Sequence, residues 1–263
     1  MNTFAYVVAD TVSPGGARIT TMSLTYPRII HGEFMTHRVF SRNSMSSRAI
    51  PTPKLIAQVR DTPFVPQHIV RNIPGMQGGA DMYGAERTAV LAEWHAAAKV
   101  AADAAERMHA LGVHKQVANR VLEPFQWMRT VVTATEWTNF FKLRCHPDAE
   151  PHFQYLATDM QEALRSSPPQ KACSHLPYVD DELEGDLPLQ SRMKLSAARC
   201  ARVSYSNHDG TPVEHVKDFA LADTLIEAGH FSPFEHAATA HVGHDEFVAN
   251  LRGWQSYRSR LGA

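Results

Sequence analysis

The apolar positions change period several times along the chain, and those changes mark the elements. Phe4 to Val8 reads as a strand, Ser13-Pro14-Gly15-Gly16 as a turn, and Arg18 to Tyr26 alternates as a second strand, which together predict a hairpin. Pro27 stands where a helix tolerates a missing N–H. Ile30, Phe34 and His37 then share one face of a predicted helix, with Gly32 inside it. Residues 51–83, rich in Pro, Gly and Gln, keep no clear period. They are predicted as a long loop, either a lid over a site or a surface excursion. The clearest helix covers 85–111: Val90, Trp94, Ala97, Ala101, Ala105 and Met108 recur at helical spacing, and Gly112 supplies a left-handed stop.

Thr130 to Thr133 is β-branched and fits a strand or irregular backbone. Glu136 to Cys145 reads as a helix with Trp137, Phe140, Phe141 and Arg144 on roughly one side, and Phe153, Leu156, Met160 and Leu164 mark another. Ser166 to Met193 is polar, with the acidic run Asp180 to Glu184, and reads as a connector. Ser196 to Tyr205 passes from helix-like to β-like, Asn207 to Gly210 is a turn, and Val216, Phe219, Ala222 and Ile226 mark a helix closed by Gly229. His230 to His236 leads into a short strand, Ala237 to Val242. Asp245 is the expected N-cap of a final helix bearing Phe247, Leu251 and Trp254. No second compositional class begins after the connector. The predicted organisation is a single domain over 1–263, with halves 1–165 and 196–263 joined by 166–195.

A chain of 263 residues can bury a generous core, and 44% hydrophobic with 20% charged residues is ordinary for a soluble globular protein. The formal net charge of -1 gives no global pull toward nucleic acid or an anionic membrane, so any anion site must be local. No apolar run is long enough to span a bilayer, and Met1 to Asp10 lacks the basic start of a signal peptide. Cys145, Cys173 and Cys200 are odd in number and lack CxxC spacing, which fits a reducing cytoplasm. Fifteen histidines are scattered without HExxH or HxH pairs, so no metal is expected.

One stretch has almost nothing to bury. His37 to Arg48, His-Arg-Val-Phe-Ser-Arg-Asn-Ser-Met-Ser-Ser-Arg, holds three arginines and four serines in twelve residues. Guanidinium forks with hydroxyls and backbone N–H groups around them suit an oxyanion. Alone, the stretch fits a phosphate loop, an RNA-contacting patch or a solvated surface.

Four blocks carry a resemblance. Thr36-His37-Arg38-x-x-Ser41-x-Asn43-Ser44-x-Ser46-x-Arg48 is similar to the R-H-R-x-x-S-x-N-E-x-S-x-R signature of the flavin-dependent thymidylate synthase (ThyX) family. Ala201-Arg202-Val203-Ser204 resembles that family's A-R-V-S block, and His230-Phe231-Ser232-Pro233-Phe234-Glu235-His236 its H-x-S/T-P-F-E-H block. Asn139-Phe140-Phe141-Lys142-Leu143-Arg144 resembles N-F-x-x-L-R, with Arg120 to Pro124 upstream matching R-x-x-x-P. In the family the A-R-V-S and S-P-F-E-H blocks precede R-H-R, whereas here they come last. The sequence therefore looks circularly permuted, which a connector permits because loop entropy grows slowly with length.

The resemblance implies an α/β (α+β) fold, a mixed sheet with long helices in permuted order. It implies transfer of a methylene from methylenetetrahydrofolate to C5 of dUMP, with hydride from reduced FAD and NADPH as reductant. Carried over residue by residue, Ser46, Arg48 and Arg120 hold the nucleotide phosphate, and Arg144 orients the pyrimidine and stabilises charge on it. Arg144 and Ser46 are thus the implied catalytic residues, with Glu33 and Ser44 also facing substrate. His37, Arg38, Asn43, Asn139, Ser204, Ser232 and Glu235 are the implied flavin contacts, the flavin lying between subunits of a homotetramer.

The departures concern the substrate. Thr36 replaces the first arginine of R-H-R, Glu33 stands where glutamine is usual, and Ser44 replaces glutamate. Glu150 follows Ala149 where A-Q is usual, and Thr133 and Thr135 fall where flavin-contacting asparagine and arginine are often seen. A carboxylate near a phosphate needs a partner, for which Arg38 or Arg48 is expected to serve Glu33. A carboxylate acceptor also suits the exocyclic amine of cytosine, so a C5 methylase or hydroxymethylase acting on dCMP or UMP is an alternative. An inactive relative that binds nucleotide or RNA is another.

Overall fold

The computed structural model describes residues 2–204, 214–243 and 245–262. Its centre is a five-stranded mixed sheet in the order β3-β4-β2-β1-β5, built from β1 (Phe4–Val12), β2 (Arg18–Pro27), β3 (Ser41–Ser44), β4 (Trp127–Ala134) and β5 (Gln170–Lys171). Neighbours are antiparallel except β5, which runs parallel to β1. The predicted hairpin is β1 and β2, with a register irregularity between Val7 and Ala9. Along β2 and β4 the alternation is strict. Met22, Leu24 and Tyr26 pair with Val132, Thr130 and Met128 on one face, while Thr21 pairs with Thr133 on the other.

The first face carries an aromatic core. It packs against α1 (His31–Phe34), α5 (Thr138–Arg144) and α6 (Pro151–Ser166). Phe34, Phe40, Phe140 and Phe153 meet edge-to-face or tilted, with centroids 5.0 to 6.4 Å apart. Each such side chain contributes about 1.5–3 kcal/mol on burial. Arg144 and His37 stand on the rim of this wall, against Phe153 and Phe140. Glu150, set where a family glutamine is usual, caps α6: its carboxylate accepts from the Phe153 N–H at 2.8 Å.

A second layer comprises α2 (Thr52–Asp61), α3 (Gly84–Ala110) and α4 (Lys115–Ala118), closed by a 3-10 turn, Asn119–Phe125. The helix predicted over 85–111 is α3, and Gly112 has φ +80 as its stop requires. The loop predicted over 51–83 is corrected. Pro51 and Pro53 occupy the entry of α2, where prolines fit a helix, and Leu55, Ile56 and Val59 are buried. The rest folds back on itself through a Val70–Asp81 bridge. It is tied to the body by Trp94 Nε1 donating to Phe64 O at 2.7 Å and Gln67 N donating to His152 Nε2 at 3.1 Å.

The C-terminal half docks on the other face of the sheet. It contains β6 (Ser174–His175), α7 (Asp181–Glu184), α8 (Leu189–Ala201), α9 (His215–Glu227), β7 (Ala238–Ala240), β8 (Phe247–Val248), β9 (Leu251–Arg252), β10 (Trp254–Ser256) and α10 (Tyr257–Arg260). A 3-10 turn, Ser232–Glu235, precedes β7. Strands β10, β7 and β6 form a small sheet. Arg199 joins buried Glu184 at 2.5 Å and Asp218 at 3.0 Å, clasping α7, α8 and α9 together.

Three further expectations are corrected here. The helix after Pro27 shrinks to a 3-10 turn, Arg28–Ile30, and the single turn α1. The β-like run from Ala201 is the end of α8 and a 3-10 turn, Arg202–Ser204; Tyr205 and the turn at 207–210 lie outside the described residues. The helix expected after Asp245 is instead β8, β9 and β10. Ala249 at φ +56 and Gly253 at φ +70 reverse the chain where a helix would continue.

The two halves are joined by a buried polar chain. Thr11 Oγ1 meets His175 Nδ1 at 2.8 Å, and His175 Nε2 meets Thr21 Oγ1 at 2.8 Å. Thr21 Oγ1 meets Thr133 Oγ1 at 2.6 Å, and Thr133 Oγ1 meets His236 Nδ1 at 2.8 Å. Both imidazoles are fully buried, and burial depresses each to about 3. Among the described residues no helix is long and apolar enough to cross a membrane, and no group of three or more His, Cys, Asp or Glu could hold a metal ion.

Candidate active site

The Arg/Ser stretch leaves α1, crosses the sheet edge as β3 and turns away at Ser46. Strand alternation divides its side chains. Arg42 and Ser44 lie opposite Val132 and Thr130, on the aromatic face, while Ser41 and Asn43 lie opposite Thr133 and Val131 on the other. Ser44 Oγ accepts from Thr130 Oγ1 at 2.9 Å, and Thr130 shares its hydroxyl with Tyr26 OH at 2.7 Å. Tyr26 OH also meets His31 Nδ1 at 2.9 Å. Arg42 donates to Phe34 O at 3.2 Å and makes no ion pair among the described residues.

On the aromatic rim, Arg144 Nε donates to His37 Nε2 at 3.0 Å, and Arg144 Nη1 lies 3.4 Å from Glu33 Oε2. The guanidinium carbon sits 4.6 Å from the centroid of the Phe153 ring, in cation–π contact with the wall. His37 stacks edge-on to Phe140 at 4.9 Å. Burial, then the charges of Arg144 and Arg42, depress His37 to about 4. His31 falls to about 4 for the same kind of reason: burial first, then Arg28 and Arg42. Both are therefore neutral at pH 7, and His37 can accept from Arg144. Glu33 has its partner in Arg144, not in the expected Arg38 or Arg48, which are exposed and make no ion pair among the described residues. Thr36 closes α1 by donating to Glu33 O at 2.7 Å.

At the other end the loop is fixed from below. Asn119, fully buried, donates to Ser47 O at 2.7 Å and Ile50 O at 3.1 Å. Met45 N donates to Arg129 O at 2.8 Å. Arg120 pairs with Glu123 Oε1 at 2.6 Å, and the same oxygen lies 3.4 Å from Ser47 Oγ and 3.5 Å from Arg28 Nη2. Arg28, Ser47 and Arg120 thus meet at Glu123, with Ser46 and Arg48 flanking Ser47 in the chain.

On the opposite face, Asn43 Nδ2 donates to Cys200 O at 2.8 Å, and Ser232 Oγ donates to Asn43 Oδ1 at 3.3 Å. Glu235 pairs with Arg258 at 2.6 Å. Asn139 is exposed on α5, and the Ser204 side chain lies outside the described residues. Thr133 belongs to the buried polar chain, and Thr135 Oγ1 accepts from Arg252 N at 2.9 Å. Contacts thus unite Glu33, His37 and Arg144 in one group and Asn43 and Ser232 in another; Arg38 and Asn139 join neither among the described residues. Sequence reasoning missed Arg28, His31, Arg42, Ser47 and Glu123. Two were within reach: Arg42 alternates with Asn43 in the same stretch, and Glu123 stands three residues after Arg120.

The site is thus an arginine and serine edge strand of a mixed sheet, flanked by two guanidinium centres each paired with a carboxylate. The family described as thymidylate synthase complementing protein, Thy1, matches residues 16–170, more than half of the sequence. The chain belongs to that family, and is a thymidylate synthase-like methyltransferase. Its fold is similar to that of PolB, a UMP/dUMP methylase from Streptomyces cacaoi crystallised with 5-Br UMP, at 17% identity and a TM-score of 0.51, over 62% of this chain and 88% of that one. The same enzyme bound with 5-Br dUMP aligns at 15% identity and a TM-score of 0.48, over 62% and 90%. No curated protein matches the sequence.

Proposed function

We propose that the protein methylates C5 of a pyrimidine nucleoside monophosphate, converting dUMP to dTMP with methylenetetrahydrofolate as carbon donor. The observation that carries this reading is the family match, whose span contains both guanidinium centres and the stretch between them. Arg144 is the base-orienting residue. Pinned by His37, Glu33 and Phe153, it donates to the pyrimidine carbonyl edge and stabilises the negative charge that gathers there as C5 attacks the methylene carbon. Neutral His37 fixes the guanidinium without adding a competing positive charge. Ser46, Arg48 and Arg120 hold the phosphate, and Ser44 lines the pocket between.

The reductant in this reading is FAD, replenished by NADPH. The donor set fits such a group in its chemistry: Asn43 and Ser232 offer an amide and a hydroxyl at one edge, Glu235 with Arg258 a charged pair beside them, and Arg38 an exposed cation. His37, Asn139 and Ser204 complete the set of contacts. When bound, FAD supplies the hydride that turns the methylene into methyl. In a homotetramer with the flavin between subunits, groups from different copies would complete one site. The permuted order follows the same logic, because the late blocks reach β3 through side-chain contacts and not through chain continuity.

A second reading has one observation in its favour. Glu33 Oε2, 3.4 Å from Arg144, puts an acceptor beside a donor, the pattern that a cytosine amine and its neighbouring ring nitrogen complement. Purified protein with FAD, NADPH and methylenetetrahydrofolate should be given dUMP, UMP and dCMP separately and each product weighed. Gain of one methyl on dUMP supports thymidylate synthesis. Gain on dCMP alone, or of a hydroxymethyl group, supports the second reading. A colourless protein that takes up no FAD and modifies none of the three would refute both and leave a nucleotide-binding relative.

A further inference from the structure

Three donors converge on one oxygen at the Arg120 end of the site. Arg120 Nη1 lies 2.6 Å, Ser47 Oγ 3.4 Å and Arg28 Nη2 3.5 Å from Glu123 Oε1. One contact is short and two are long, because a single carboxylate oxygen cannot satisfy two guanidinium forks and a hydroxyl that approach from different sides. A tetrahedral phosphate could give each donor an oxygen of its own. The side chains are also reachable: Arg28 is 25% exposed, Glu123 24% and Arg120 51%. The platform beneath does not move with them, since Asn119 is buried and clamps the loop through Ser47 O and Ile50 O.

We propose that Glu123 is an internal counter-ion seated on the donors of the phosphate pocket, that Arg28 and Ser47 belong to that pocket, and that Glu123 makes it select a dianionic terminal phosphate. This rests on the reading of the substrate as a nucleoside monophosphate. The charges decide the selection. Around Glu123 itself, Arg28 and Arg120 with one carboxylate leave a single net positive charge; Arg48 makes no ion pair among the described residues and is not counted in it. A monoanion, such as a phosphodiester, gains little by competing with a carboxylate of equal charge. A dianion gains twice as much from the same two arginines and drives Glu123 to solvent. Displacement is cheap, because an ion pair this open to water is weak. The pocket would therefore take a free nucleotide and reject the same pyrimidine inside a DNA strand.

The experiment measures binding of inorganic phosphate, dUMP, its phosphate methyl ester and deoxyuridine by calorimetry. Native protein should bind dUMP at least about tenfold more tightly than the monoanionic ester. Glu123→Gln should tighten the ester by about fivefold and narrow that gap, leaving deoxyuridine unchanged. Arg28→Gln should weaken inorganic phosphate and dUMP by about tenfold or more, again without effect on deoxyuridine. Equal binding of dUMP and its ester by native protein overturns the proposal even if Glu123→Gln does not fold. So does a Glu123→Gln protein that discriminates as native protein does. If no pyrimidine binds but inorganic phosphate is weakened about tenfold by Arg28→Gln and tightened by Glu123→Gln, the pocket stands and the substrate reading fails.

Discussion

Acid should loosen this protein well before its carboxylates titrate. His175 and His236 are fully buried in the polar chain between the two halves, and burial holds each at about 3 against an ordinary 6.5. The unfolded chain therefore takes up protons on both residues first as pH falls. Stability from these two is complete above pH 6.5, drains as pH falls from 6.5 toward 3, and loses nothing further below that. Each neutral imidazole adds a slope of about 1.4 kcal/mol per pH unit, so the pair gives about 2.7, and about 4 kcal/mol is gone by pH 5. Against a total stability of about 5–15 kcal/mol, that is a large share. His31 and His37, held near 4, steepen the loss but are less buried. The variant that isolates the effect is His236→Asn, whose amide can keep the bond to Thr133. Urea unfolding of native and variant protein at fixed pH between 5 and 8 gives two stability curves. Their slopes should differ by about 1.4 kcal/mol per pH unit below pH 6.5. Parallel curves would refute the reasoning.

Two more outcomes follow from the same geometry. Arg144→Ala should lower kcat/KM for methyl transfer by about a hundredfold or more while bound flavin, read by absorbance, is retained. Glu184→Gln should cost about 3 kcal/mol in urea unfolding at pH 7, because it takes one of two carboxylates from the largely buried Arg199, leaving Asp218. Although burial pushes the Glu184 carboxyl up, Arg199, the Asp180 N–H and His215 outweigh it and hold the group at about 2. Its stabilisation is complete above pH 4.5 and lost as pH falls toward 2, so in that window the native curve should drop more steeply than the variant's, which loses only what the histidines contribute.

Much of the fold was legible where one interaction dominated. The hairpin followed from a turn between alternating segments, and α3 from a long run of small apolar residues closed by Gly112. Expectations failed where periodicity was ambiguous. Phe247, Leu251 and Trp254 are spaced as on a helix, yet Ala249 and Gly253 take left-handed backbone and turn the same residues into strands. In 51–83 the prolines masked a helix because Pro51 and Pro53 sit at its entry, the one place where they do no harm. At the site, the blocks pointed to Arg144, His37 and the Ser46 to Arg48 loop as candidates, but not to the carboxylates that pair with the arginines there. Glu33 pairs across 111 positions of chain with Arg144, and Arg28 reaches Glu123 across 95. No local pattern encodes such partners, since they are chosen by how the sheet and helices pack.

The buried chain from Thr11 to His236 also has a direction. His236 Nε2 is buried with no partner among the described residues. A bare lone pair in that position is cheaper than an N–H without an acceptor, so the proton sits on Nδ1. His236 then donates to Thr133, Thr133 to Thr21, and Thr21 to His175 Nε2. His175 is left to donate through Nδ1 to Thr11. One unpaired atom beside the Ser232–Glu235 turn thus sets the sense of every hydrogen across four strands. Supplying an acceptor to that atom would favour reversing the whole row together, a change in bond polarity that moves no heavy atom.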